Sequence, residues 1–547
     1  MPAPVNSERK AAAAGRAGID RLFLTGWAGS LAITIGLFVA LFFAFGFWWP
    51  YWRSGDMDIW IVYEAFLQNS HLPQEYFDHP GYLTILLLGW WLHLLHAAGL
   101  LAADSLPQLP PVSQIAESAA AWMRATQAAR ILSLILAVGF VAAFAVLLRR
   151  VVKDWRAAAL AAFALAFSGG LMMEGRIVRT ELIGAGLCYA GLLLLIAEAE
   201  HPTRRRVAIM GLAALLFTLA LLNKVQFIFL LLTFPPVLFT FGRTDERTAG
   251  RFWRSKAGIA AAAGAAVVAV ALIVWVWPIA GAGLFDPARL ARREVVFGTA
   301  FPLYQTAIAV WFAGWIAAYA IVYRIATAEA AAALAAVMIS ACLGLSVLWL
   351  RWNAADAAIA LNPFEQMLAF ASGANPELVH GQAVAGQPLV RAVLSGIGLM
   401  LARQTFVFSS SARPTIFLEW AVLAMMLFAW RRGERKVALQ AALLVLVSWA
   451  VDLPGTFRGL KIEYFIITDP LIIIAAALLV ARVPALQTHR FAYPAGAALI
   501  VATIAVGVAE PVKHTFQHDA PFDFCVPHYP YTKRIETFSF CATERKP

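Results

Sequence analysis

The chain has 547 residues, of which 61% are hydrophobic and only 14% charged, with a net charge of +11. Soluble domains carry roughly 25% charged residues, and here apolar runs of about 18 residues or more, long enough to cross ~30 Å of hydrocarbon, recur from Leu22 to the region of Val508. This excludes a soluble globular protein, and the lack of ~10-residue alternating segments excludes a membrane β-barrel, leaving an all-α polytopic membrane protein.

The N-terminal segment 1–21 is basic, with Arg9, Lys10, Arg16 and Arg21. The first apolar run, 22–50, is too long for a signal peptide. It ends on Phe47, Trp48 and Trp49, an interfacial aromatic belt that marks a retained span. Twelve further spans are predicted at 128–148, 157–173, 182–198, 207–222, 226–241, 257–278, 305–323, 329–350, 414–430, 437–452, 464–481 and 493–509. The apolar stretch Tyr82–Ala103 is left out on purpose. With the N-terminus in the cytoplasm and 82–103 not crossing, the clusters Arg149/Arg150/Lys153/Arg156, Arg204–Arg206, Arg243 to Lys256 and Arg431/Arg432/Arg435/Lys436 all fall inside. If 82–103 crossed, all of them would fall outside, against the positive-inside rule. The stretch is therefore read as a surface or re-entrant helix. The excess of positive charge in these short loops reports orientation and lipid headgroups, not nucleic acid.

The domain reading is a cytoplasmic N-terminus (1–21), a transmembrane domain (22–509) and a periplasmic C-terminal tail (510–547). The transmembrane domain includes a first periplasmic loop (51–127) and a long loop (351–413). Loops beyond ~15 residues are often lids or binding elements, so 351–413 is an expected acceptor-binding element. Arg289, Arg292 and Arg293 in "DPARLARREVVFG" suit an interfacial helix in the loop 279–304. Cys188 and Cys342 fall inside apolar runs and read as packing residues. Cys525 and Cys541 both lie in the tail, where a disulfide forms if the compartment is oxidising.

Directly after the first span the chain reads "SGDMDIWIVYEAFLQNSHLPQEYFDHPGY". Asp56 and Asp58 form a D-x-D pair, a pattern that holds a divalent metal in some sugar-nucleotide enzymes, although hard cations need several oxygen ligands and two letters are a weak signal. An acid is followed by a short amphipathic stretch (Trp60, Tyr63, Phe66, Leu67) and then by "EYFDHPGYL" opening an apolar helix. In this order the segment resembles the first extracytoplasmic loop of the GT-C membrane glycosyltransferases, and more narrowly the protein O-mannosyltransferase and lipid A aminoarabinose transferase families. Tyr76, Phe77, Asp78, His79 and Pro80 match the pattern of those families. Gly81 replaces their second proline, and Ile59 stands where their acidic pair has its second acid.

The resemblance implies a GT-C fold of about 13 transmembrane helices with juxtamembrane helices in the first periplasmic loop. It implies an inverting transfer of a sugar from a polyprenyl-phosphate donor to a hydroxyl acceptor on a lipid, glycan or protein, at the periplasmic face of a bacterial inner membrane. The loop acid is then the general base, a role that contributes roughly 10²–10⁴-fold. Asp58 fits the family spacing best and Asp56 is second, with Asp78 and His79 in support.

A lipid-phosphate leaving group needs positive charge. Lys224 stands between two apolar runs in "LLNKVQFIFLLL", and a lysine there is expensive unless it is paired or reaches the interface. Glu174, Arg176, Arg179 and Glu181 crowd "MEGRIVRTELIGAG", where Arg179 and Glu181 are similar to the Arg-x-acid element of such enzymes. "FRGLKIEYFIITDP" offers Arg458, Lys461, Glu463 and Tyr464. The expected donor-phosphate ligands are Lys224, Arg179, Arg458 and Lys461, supported by Arg176, Glu181 and Tyr464. No Gly-rich phosphate loop, zinc-type spacing or Ser-His-Asp constellation occurs. The lone D-x-D leans toward metal independence, with a divalent metal as the alternative. A secondary transporter or lipid flippase is the competing function, and it typically carries inverted repeats that are not visible here.

Overall fold

The computed structural model describes residues 26–49, 58–75, 81–111, 114–242, 301–351, 415–456, 462–487 and 492–515, together with Arg413 and short helical pieces within 255–271 and 394–402. All of the regular structure in these residues is helical. The helices are α1 (Gly26–Phe45), α2 (Trp60–Asn69), α3 (Tyr82–Ala97), α4 (Ile115–Val152), α5 (Trp155–Ala166), α6 (Gly169–Glu174), α7 (Glu181–Glu200) and α8 (Arg206–Asn223). They continue as α9 (Phe227–Phe241), α10 (Phe301–Val322), α11 (Thr327–Ser346), α12 (Ile416–Arg431), α13 (Arg435–Thr456), α14 (Asp469–Arg482), α15 (Pro484–Gln487) and α16 (Ala492–Thr515). Among the described residues, six segments are each long and apolar enough to cross a bilayer: α1, Ala116–Val152, α7, α8, Thr327–Arg351 and Arg435–Leu453. The chain is a helical membrane protein. The loops 279–304 and 351–413 and the tail 510–547 lie wholly or almost wholly outside the described residues, as do Cys525 and Cys541. Cys188 and Cys342 are buried free thiols.

The bundle has two chemically different ends. At one, Arg149, Arg150, Lys153, Arg204, Arg205, Arg431, Arg432, Arg435 and Lys436 are exposed. The start of α1 lies there too, with Arg149 over the ring of Trp27 at 5.0 Å. The other end gathers Asp58, the connection 175–180, Lys224 and a 3-10 turn, Ile462–Ile467. These are called the basic end and the polar end below.

Local chemistry sets the breaks between helices. Lys153 closes α4 in a left-handed conformation, φ 58°, and Asp154 caps α5 by accepting from the Arg156 N–H at 2.9 Å. The predicted single span 157–173 is interrupted at Phe167–Ser168, where the Ser168 hydroxyl accepts from the Leu171 N–H and restarts the chain as α6. Only Lys224, Val225 and Gln226 separate α8 from α9.

At 38 residues, α4 is about 57 Å long at ~1.5 Å per residue, nearly twice the hydrocarbon thickness. Arg130, part-way along it, bonds the carbonyls of Gly46, Phe47 and Trp49 just past the end of α1. The stretch of α4 before Arg130 therefore projects beyond the level where α1 ends. On that projecting stretch α2 and α3 build a second core of Trp60, Tyr63, Phe66, Leu88, Leu92 and Trp122, with the Phe66 and Trp122 ring centroids 5.3 Å apart.

α3 is tied along its length to the polar end. Gly81 N–H donates to the Asn223 carbonyl at 2.9 Å, Tyr82 Oη donates to the Val347 carbonyl just past α11 at 2.9 Å, and Trp91 Nε1 donates to the Ala128 carbonyl at 2.8 Å. Its 16 residues cover only about 24 Å. It contacts the ends of α8 and α11 and the first half of α4.

Candidate functional site

Three buried polar clusters meet at the polar end, and two of them share the connection between α6 and α7. The first holds Asp58. Its Oδ2 accepts from Arg130 Nη2 at 2.5 Å and from Nε at 3.1 Å, and its Oδ1 accepts from the Val178 N–H at 2.7 Å. Both side chains are fully buried. A buried ion pair holds only where its remaining hydrogen-bonding capacity is met, and here Arg130 uses Nη1 on three backbone carbonyls. Asp58 is thus a strut that joins the start of α2, the middle of α4 and the 175–180 connection. Neither oxygen faces open space. Arg130 was not anticipated, although a lone arginine inside "AARILSLILAV" is the signal an intramembrane cation gives.

One residue beyond Val178, Arg179 opens the second cluster. Its Nη1 lies 3.2 Å from Glu463 Oε1, its Nη2 3.3 Å from Glu181 Oε1 and its Nε 3.1 Å from Glu174 Oε1. Lys224 Nζ sits 2.6 Å from the same Glu181 Oε1. The Tyr464 ring lies under both cations, 5.8 Å from Arg179 Cζ and 5.9 Å from Lys224 Nζ. Asn223 braces the rim: its Nδ2 donates to the Thr180 carbonyl and its Oδ1 accepts from the N–H and hydroxyl of Thr84, which ties α3 to the cluster.

The sequence expectation of phosphate-ready cations is changed by this arrangement. Arg179 and Lys224 are already engaged by three carboxylates, Glu174, Glu181 and Glu463, so the described residues leave one excess negative charge. Glu174 is the least satisfied. The single Nε–H of Arg179 is directed to Glu181 Oε2 at 3.4 Å, and neither Glu174 oxygen receives a hydrogen bond from the described residues. Burial first, and then the charge of Glu181, push this carboxyl well above the usual carboxylate range. Glu174 lies at the α6 terminus, in the 174–181 connection outside the spans.

The third cluster surrounds Arg413. Asp452 Oδ2 lies at 2.9 Å, Asp469 Oδ1 at 3.1 Å and Glu419 Oε2 at 3.7 Å, with the hydroxyls of Thr415 and Thr468 completing the network. All are buried. Asp452 near the end of α13 and Asp469 at the start of α14 read in sequence as ordinary helix-end acids, and only the fold brings them to one arginine. The 3-10 turn 462–467 separates the two clusters: Glu463 and Tyr464 face Arg179 and Lys224, while the Phe465 ring lies 5.0 Å from Arg413 Cζ.

Of the anticipated residues, Arg179, Glu181, Lys224 and Tyr464 come together. Asp58 stands one backbone residue away on its own partner. Arg176 donates from Nε to the Met172 carbonyl in α6 at 3.0 Å, and its Cζ lies 5.8 Å from the Trp49 ring just past α1. Asp56, Asp78, His79, Arg458 and Lys461 lie outside the described residues. Comparison with protein-family models, with curated proteins and with solved structures finds no match.

Proposed function

We propose that the protein is an inverting glycosyltransferase of the GT-C type. It moves a sugar from a polyprenyl-phosphate donor to a hydroxyl acceptor at the polar end of the bundle. The observation that carries this reading is convergence: positions 58, 130, 174–181, 224 and 463–464 come from five separate stretches of sequence and meet at one end, beneath the α2–α3 layer. The exposed basic clusters all sit at the opposite end. By the positive-inside rule that end is cytoplasmic and the polar end periplasmic, which suits an inner-membrane enzyme acting on the cell envelope. A transporter or flippase places its ionised groups near the bilayer midplane, whereas these groups lie at helix ends.

In the proposed step the acceptor oxygen attacks the anomeric carbon as its proton passes to a carboxylate. The bond from that carbon to the phosphate oxygen breaks on the opposite face, and polyprenyl phosphate leaves. Arg179 and Lys224 stabilise the leaving phosphate, which must displace Glu181 or Glu463 from them. Arg458 and Lys461, five and two positions before Glu463, supply further positive charge in this reading. Asp58 remains the first candidate for the base and Asp56 the second. Because Arg130 holds the Asp58 carboxylate, its part in transfer is separated from its part in folding by a paired change.

Alone, Asp58→Asn leaves Arg130 without its charge partner. The Asp58→Asn/Arg130→Met variant removes both charges and restores a neutral core. Transfer of radiolabelled sugar from polyprenyl phosphate in membranes is the readout. The expected result is a folded double variant with no transfer. Recovery of transfer in the double variant would remove Asp58 from the chemistry and leave it a strut.

A further inference from the structure

One cavity in the described structure is remote from the polar end. A cleft of about 280 Å³ lies at the basic end, between α7, α8 and α9 on one side and α10 and α11 on the other. Its walls are apolar, with Leu195, Met210, Trp315 and Ala330 among them, and among the described residues its only charged lining residues are Glu198, Arg206 and Glu329.

The cleft follows from how α10 is mounted. Pro235 and Pro236 lie inside α9, and a proline lacks the N–H that would bond the carbonyl four residues earlier. Pro236 therefore frees the Leu232 carbonyl, and Trp311 Nε1 donates to it at 2.9 Å. On the same face of α10, Tyr319 Oη donates to the Pro235 carbonyl at 3.4 Å and Tyr323 Oη to that of Phe239. Trp315, between them, packs on Phe239 with ring centroids 5.5 Å apart. The residues at 311, 315, 319 and 323 recur every fourth position and so share one face. This stripe fastens α10 to α9, while α11 packs along α8. The wedge between the two helix pairs stays unfilled.

The charges around the wedge are asymmetric. Its two acids are satisfied inside the fold: Glu329 pairs with Arg206 at 2.9 Å, and Glu198 accepts from the Thr203 N–H and hydroxyl. The cations Arg204 and Arg205 immediately precede Arg206 and are exposed, as is Arg324, next to the lining residue Ile325. The exposed residues that flank the lining positions 206 and 325 in sequence are therefore cationic, beside an apolar slot in a protein whose surroundings are lipid. Basic pockets between spanning helices on the cytoplasmic side are suited to anionic headgroups, each Lys or Arg near the surface contributing about 1 kcal/mol.

We infer that this cleft is a binding site for an anionic phospholipid, with an acyl chain in the wedge between the α9–α10 and α8–α11 pairs and its phosphate on Arg204, Arg205 and Arg324. The site is independent of the glycosyl-transfer reading and uses none of its residues.

Native mass spectrometry of the full chain in detergent, titrated with phosphatidylglycerol or phosphatidylcholine, tests it. Wild type retains phosphatidylglycerol over phosphatidylcholine. Arg204→Gln/Arg205→Gln, on exposed side chains, weakens phosphatidylglycerol by about thirtyfold at ~1 kcal/mol per arginine and leaves phosphatidylcholine unchanged. Ala330→Trp fills the slot and removes retention of the tightest-bound lipid. Equal retention of both lipids by wild type, undiminished phosphatidylglycerol in the double-glutamine variant, or a co-purifying isoprenoid phosphate that phosphatidylglycerol fails to displace would each overturn the assignment.

Discussion

Gly81 shows how one residue records a local backbone requirement. Its φ is 57°, in the left-handed region where a Cβ is strained, and its N–H donates to Asn223. Proline fixes φ near −65° and has no N–H. A second proline at this position, as in the pattern the loop resembles, is therefore excluded twice over by the way α3 starts here. Gly81→Pro is expected to cost about 3 kcal/mol or more and to lower the thermal midpoint in detergent well below that of Gly81→Ala, which keeps the N–H. Equal midpoints for the two variants would remove the Asn223 contact from the account. Glu174 carries a pH signature of its own. Its folded-state pKa is raised by burial and by Glu181, so its stabilising contribution is present at pH below the unfolded value and is lost as pH rises through the folded-state value. The thermal midpoint of the wild type should fall toward alkaline pH. Glu174→Gln, neutral throughout, should flatten that fall while matching the wild type in acid. A thermal scan across pH in detergent reads both, and an unchanged slope in the variant would assign the pH dependence elsewhere.

Among elements, the 3-10 turn 462–467 and the short α6 matter most, because their contact sets Glu463 and Tyr464 on Arg179. The approach is backbone against backbone: a Cβ at Gly170 would run into the Ile466 backbone rather than into a side chain that can move. Gly170→Ala is therefore expected to destabilise by about 1–3 kcal/mol, the usual cost of overpacking, and to shift Glu463 off its arginine. Sugar transfer and thermal midpoint should fall together, and loss of either alone would separate turn position from site integrity. This contact also shows where sequence reading stops. Helix positions were legible because each is an apolar run between charged ends. The crowding of Arg179, Glu181 and Lys224 was legible because charged groups beside spans are costly and so stand out. The partner of Asp58 was not, because Arg130 is 72 residues away and only the projecting length of α4 brings it back to the end of α1. The Arg413 cluster was hidden for a similar reason: Asp452 and Asp469 each look like a helix-end acid until α12, α13 and α14 are packed. The break at Ser168 was missed because an apolar run carries no mark of a change in helix direction apart from one capping hydroxyl.

At the scale of the whole molecule, the segregation of charge is the basis of the topology that the proposed chemistry depends on. Every exposed basic cluster at the ends of α4, α7–α8 and α12–α13 lies at one end, while α2, α3 and the first turns of α4 lie at the other. The proposed topology takes α3 to rest across helix ends instead of crossing, so that the spans after it keep their alternation. Cysteine accessibility tests this directly in a Cys525→Ser/Cys541→Ser background, in which the remaining thiols, Cys188 and Cys342, are buried. Ala102→Cys, exposed just beyond α3, should react with a membrane-impermeant maleimide in cells whose outer membrane alone has been permeabilised. Lys436→Cys, exposed in the first turn of α13, should react only after the inner membrane is opened. The reverse pattern would place the polar end in the cytoplasm, where Arg179 and Lys224 would meet no periplasmic acceptor. Labelling of both positions from one side would mean that the chain crosses the bilayer an even number of times between residues 102 and 436. The expected pattern sets the two ends on opposite sides, because lysine and arginine loops are retained where insertion begins.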